Sequence, residues 1–80
     1  MKISKECAMI YKEDTTINNT PFRVYTLNDI DSGHNFNIYC KTADTELEKM
    51  ALFERKKIDF DFVIDKKGAF KLKRGVKDVG

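Results

Sequence analysis

Polar and apolar residues alternate twice in close succession, in FRVYTLN (22–28) and again in HNFNIYCK (34–41). Alternation with a period of two marks a half-buried strand. The intervening DIDSG supplies Asp and Ser for a turn, and Gly33 can take a positive φ at little cost. Residues 22–28 and 34–41 are therefore expected to pair as a hairpin. Its alternation puts Phe22, Val24, Phe36, Ile38 and Cys40 on one side, expected to be the core. Arg23, Tyr25, Asn37, Tyr39 and Lys41 fall on the other.

Upstream, KECAMIYKE (5–13) predicts a first strand that is apolar on both faces. DTTINNTP (14–21) interrupts it, because Asn18-Asn19 favours a turn and Pro21 has no N–H to donate. Downstream the period changes. In ADTELEKMALFER (43–55), Leu47, Met50 and Ala51 stand at helical spacing, predicting one helix of about three turns. Thr45 to Glu48 matches a capping box, with Asp44 as the rival N-cap. So narrow an apolar stripe must pack on something else to persist.

A fourth strand is predicted in KKIDFDFVID, with Ile58, Phe60, Phe62 and Ile64 on one face. Phe60 and Phe62 are expected to meet the helix stripe of Leu47, Met50 and Ala51. Asp65-Lys66-Lys67-Gly68 suits a type I turn closed by a left-handed glycine. AFKLKRGV is the fifth strand, with Phe70 and Leu72 inward and Lys71 and Lys73 outward; the terminal KDVG is expected to fray.

Three strands, a helix and two strands is the element order of the OB-fold, a five-stranded Greek-key barrel. A first strand apolar on both faces suits one that bends into both halves of such a barrel. An SH3-like barrel or an open α+β sandwich would use the same elements. The expected fold is mainly β, OB-like, with one short helix between strands three and four and a single domain over residues 1–80.

Composition adds bounds rather than identity. At 80 residues, 41% hydrophobic and 35% charged, the chain builds one domain with a thin core. Association with a second copy, a homodimer, would bury more surface. No apolar run approaches the roughly 20 residues of a membrane span, and MKISKECAMIYKED lacks the pattern of a signal peptide. A cytoplasmic protein is expected. Cys7 and Cys40 are read as reduced, since a small extracellular domain would carry more cysteine. The net charge of +2 is small but polarised: residues 66–77 hold Lys66, Lys67, Lys71, Lys73, Arg74 and Lys77 with no acid among them.

An outward face carrying two tyrosines among cations and an amide is what unpaired bases and phosphates require. Bases stack on aromatic rings and cations follow the backbone. Arg23, Tyr25, Asn37, Tyr39 and Lys41, with Lys71, Lys73 and Arg74, are therefore the candidate nucleic-acid-binding residues, and Lys12 would lie beside them. Each feature has a plainer role: tyrosines pair across strands, and lysines keep sheet edges from aggregating. Catalytic chemistry has little support. His34 is the sole histidine, beside a turn glycine, and no positioned nucleophile accompanies it. Cys7, His34 and Cys40 lack zinc-site spacing, and DIDSG lacks the full calcium-loop pattern. Asp59 and Asp61 read as a solvated face, and no phosphate-loop or dinucleotide fingerprint is present. No metal or cofactor is expected.

Through FRVYTL, FNIYCK, the intervening helix and FDFVIDKKGAFKLKR, the chain resembles the small single-strand DNA-binding proteins of bacteriophages and mobile elements. The resemblance lies in architecture and surface chemistry. It implies a non-enzymatic role in protecting single strands during replication or recombination, often as dimers. Larger bacterial relatives carry an acidic C-terminal tail, whereas KLKRGVKDVG is basic, so recruitment through such a tail is not expected. The alternative class is a small protein-binding module, such as a phage-encoded inhibitor or assembly factor. It would grip a host protein through a strand edge or the tyrosine face, since Tyr and Arg also anchor protein interfaces.

Overall fold

The computed structural model describes residues 2–64, 66–68 and 70–74, with Phe70 and Lys71 described in backbone only. Five strands, β1 (Lys2–Ile17), β2 (Thr20–Asp29), β3 (Asn35–Cys40), β4 (Arg55–Ile64) and β5 (Phe70–Arg74), form one antiparallel sheet in the order β3-β2-β1-β4-β5. The sheet curls into a half-barrel. One short helix, α1 (Thr45–Lys49), lies between β3 and β4. This is the OB-like arrangement expected from the element order. No helix among the described residues is long and apolar enough to cross a membrane.

The central strand explains the curl. β1 pairs with β4 through Lys2–Ala8 and with β2 through Cys7–Ile17, so its two halves serve two neighbours. Between Met9 and Tyr11 the register with β2 shifts, leaving Ile10 unmatched as a bulge. Bulges of this kind bend and twist a strand. β1 also runs further than expected: only Asn18 and Asn19, at φ 49 and 65, turn the chain into β2. Positive φ at both central residues is the signature of the tight hairpin turn, which Asn accepts more readily than most residues.

That hairpin sets the phase of β2 and corrects the expected faces. Opposite residues share a face, and the ladder sets Leu27 against Met9 and Phe36, Tyr25 against Ile38, and Val24 against Tyr39. Tyr25 therefore points inward and is fully buried, with Met9, Leu27 and Ile38. Phe22 and Val24 share a face with Tyr39; Phe22 is half-buried there, whereas Val24 is buried as expected. The alternation of FRVYTL fits either phase, because Phe22/Val24 and Tyr25/Leu27 are both apolar pairs, and a shift of one residue exchanges them.

The helix is shorter than predicted. Asp44 is the N-cap, accepting from the N–H groups of Glu46 and Leu47, and Met50 already has extended backbone. Leu47 and Met50 are buried, whereas Ala51, Leu52 and Phe53 are exposed. Residues 51–54 instead form a turn fastened to β1: the Phe53 N–H donates to Met9 O, and the Met9 N–H donates to Glu54 O. Phe53 has φ 68. For a bulky side chain that conformation costs on the order of 1–3 kcal/mol.

Ile58 and Phe60 of β4 reach the core, Phe60 meeting Phe36 edge to face at 5.6 Å, in one cluster with Leu47 and Met50. The inward stripe then fades. Phe62, opposite Leu72, is half-buried and Ile64 is exposed, because they run past the end of the core. Gly68 takes the left-handed conformation foreseen for the β4–β5 turn; Asp65, Ala69 and the terminal segment 75–80 lie outside the described residues. Phe60→Ala should cost about 3–5 kcal/mol, a large share of the roughly 5–15 kcal/mol typical of a whole domain. Urea unfolding of the two proteins measures it, and matching midpoints would contradict this core.

Candidate functional site

The concave side of the half-barrel is floored by α1, and charged side chains hold it there. The Arg23 guanidinium donates to Glu48 at 2.6 Å, and the Tyr25 hydroxyl donates to the same oxygen at 2.7 Å. That hydroxyl also accepts from the Asp44 N–H at 3.0 Å. Lys12 donates to the Glu48 and Met50 carbonyls at the helix C-terminus, where a cation is favoured. Arg74 bonds both Asp44 and Glu46. Two expected contacts, Arg23 and Arg74, are thus largely spent on the fold, and Tyr25 is wholly so.

These contacts shift the groups they join. Arg23 first, then Tyr25, hold the Glu48 carboxyl below the usual range. Burial, followed by the bond to Glu48, raises the Tyr25 phenol. Near the other end of β2, Lys5 pairs with Asp29 at 2.9 Å and holds its carboxyl down in the same way. Cys7, buried on β1, is pushed up to about 11 by that burial, which leaves its thiol a poor nucleophile. Cys40 is half-buried and raised chiefly by burial.

A groove of about 1200 Å³ opens where the two outer strands, β3 and β5, approach across the mouth of the half-barrel. It collects five of the eight residues singled out from the sequence: Asn37, Tyr39, Lys41, Lys73 and Arg74. Phe22, Phe36 and Leu72 give it apolar walls. Tyr39 is 51% exposed and meets Phe22 edge-on at 6.3 Å, so the tyrosine ring is braced on one side and open on the other. Lys41 and Lys73 are exposed. Asp44, the one carboxylate on the groove wall among the described residues, is already matched by Arg74. Asn37 accepts from the Thr26 hydroxyl at 2.8 Å and keeps its amide N–H groups for another partner.

Tyr25 and Arg23 do not join this wall, so the two tyrosines stand on opposite faces of the sheet. The Lys71 side chain lies outside the described residues. Phe22 and Phe36 were not foreseen as part of the site, and the signal that finds them is the β2–β3 register. Among the described residues no group of His, Cys, Asp or Glu is placed to hold a metal ion. His34 is exposed in the β2–β3 turn.

The acid dependence of stability follows from the two depressed carboxylates. Each stabilises the folded state fully above its unfolded value, and that contribution is lost as pH falls through the lower, folded one. The melting temperature should therefore drop below about pH 4. Glu48→Gln should melt lower than the parent at pH 7, and the gap should narrow toward pH 2. Melts across that range check it; a gap independent of pH would contradict the role given to the Glu48 charge.

Compared with known proteins, the chain matches no family model, no curated protein and no solved structure.

Proposed function

We propose that this protein binds single-stranded nucleic acid, DNA in the first place, along the groove between β3 and β5. One observation carries the reading: a single groove is lined by the half-exposed ring of Tyr39, the exposed cations Lys41 and Lys73, and the apolar Phe22, Phe36 and Leu72. A base stacked on an aromatic ring contributes about 1–3 kcal/mol, and neighbouring cations take the phosphates. A duplex keeps its bases stacked on each other and offers Tyr39 nothing. Asn37 supplies donors for a base edge or sugar. The mainly β, OB-like frame supports the reading, since proteins with that frame commonly use the face around strands two and three for oligonucleotides. With the resemblance of FRVYTL, FNIYCK and FDFVIDKKGAFKLKR, it supports a non-enzymatic role in phage or mobile-element replication or recombination.

A second reading has its own support. β3 and β5 are the outer strands of the sheet, each with a ladder partner on one side only among the described strands. An extended segment of a host protein could add to either edge. Salt separates the two readings, because phosphate contacts release counterions and strand addition does not.

Fluorescence anisotropy with a labelled oligo-dT and a matched duplex is the test. The single strand should bind more tightly. Tyr39→Ala should weaken binding by about 1–3 kcal/mol while Tyr39→Phe retains most of it. Replacing Lys41 and Lys73 by Gln should flatten the slope of log K against log salt by about 1.4, at roughly 0.7 per phosphate. Equal affinity for duplex, or no binding at low salt, would remove this reading and leave strand addition.

A further inference from the structure

We infer, on the footing that the groove binds single-stranded DNA, that it selects bases bearing a keto oxygen, thymine, uracil and guanine, and that the side-chain amides of Asn35 and Asn37 make the selection. Asn37 lines the groove, and Asn35 stands beyond it on β3, toward the β2–β3 turn.

Asn35, Asn37 and Tyr39 share one face of β3, opposite Asn28, Thr26 and Val24 of β2. All three are exposed, while Phe36 and Ile38 point the other way into the core. Positions on one face of a strand recur about every 6.7 Å. A base stacked on Tyr39 therefore has the Asn37 amide beside its edge, and Asn35 lies one step further along.

Both amides are turned the same way, and β2 turns them. Asn28 Nδ2 donates to the Gly33 carbonyl at 3.0 Å, a bond that only the amide nitrogen can make. The same NH₂ group donates to Asn35 Oδ1 at 2.8 Å, so the Asn35 oxygen is held against β2 and its own N–H groups are left outward. Asn37 repeats the pattern, its Oδ1 accepting from the Thr26 hydroxyl at 2.8 Å. An untethered asparagine would rotate to offer oxygen or nitrogen to whichever base arrived and would choose none. Tethered through oxygen, these two present donors.

A row of donors discriminates between bases. Thymine and guanine offer it a carbonyl oxygen at the place where cytosine and adenine carry an amino group. An amino group set against an amide N–H leaves two donors facing each other with no acceptor between them. One hydrogen bond made or lost in this way changes affinity about three- to tenfold.

Fluorescence anisotropy with oligo-dU and oligo-dC of equal length tests this. The two bases differ only in the keto or amino group and the ring proton beside it, and uracil lacks the methyl group of thymine. The parent should prefer oligo-dU about three- to tenfold. Asn35→Ala combined with Asn37→Ala should bring the two affinities together. Asn37→Asp keeps the bond from Thr26 but turns an acceptor outward; its charge weakens both complexes, while the ratio should reverse toward oligo-dC. Equal affinities in the parent, with Tyr39→Ala still weakening both, would overturn the selection and leave the groove as the binding site. A preference for oligo-dU that the alanine pair leaves unchanged would also overturn it, assigning the preference to the flexibility of the DNA. Binding of neither oligonucleotide at low salt would overturn the selection and the groove together.

Discussion

Glu48 is a carboxylate on a five-residue helix, and the concave half of the molecule is organised around it. Helices this short do not persist in water, because the cost of the first turn outweighs so few hydrogen bonds. Here the cost is met from outside the helix. Arg23 and Tyr25 reach Glu48 from β2, Lys12 reaches the last carbonyls from β1, and Arg74 reaches Asp44 and Glu46 from β5. Three strands are thereby tied to one element. Among the described residues no buried side-chain polar atom lacks a partner, which is the condition under which a partly buried polar network is tolerated.

The same network explains why the two tyrosines part company. Tyr25 carries its ring into the core and delivers its hydroxyl to the one place where a helix N–H and a carboxylate await it. Nothing in FRVYTL announces this, because tyrosine suits a half-buried strand on either face. Tyr39 lies outward opposite Val24, where no such partner exists, and its ring remains half in solvent. A structural tyrosine and a candidate recognition tyrosine thus occur on adjacent strands with indistinguishable local sequence.

What could be read in advance followed local chemistry. The turn at Asn18-Asn19, the positive φ at Gly33 and Gly68, and the inward Ile58 and Phe60 depend on neighbours a few residues away, and the helix start was legible to within one residue, Asp44 taking the cap in place of Thr45 of the capping box. What escaped depends on distant ones. The phase of β2 is set by its pairing with Met9, and the helix ends at Met50 because residues 51–54 bond to β1 instead of continuing. Helix propensity in ALFER is genuine but loses to those two backbone bonds. The groove was half legible: Asn37, Tyr39, Lys41, Lys73 and Arg74 meet there, while Phe22 and Phe36 enter only once the β2–β3 register is known.

What joins these observations is spatial: the Arg23–Tyr25–Glu48 cluster belongs to the frame, and the proposed recognition is assigned to the mouth between β3 and β5. Amide chemical-shift mapping on ¹⁵N-labelled protein titrated with oligo-dT tests it most directly. The account predicts that the largest changes fall at Phe36–Thr42 and at Leu72–Arg74, with Leu27 and Ile58 little moved. Changes centred on β1 and the start of β4, or none at saturating oligonucleotide, would contradict it.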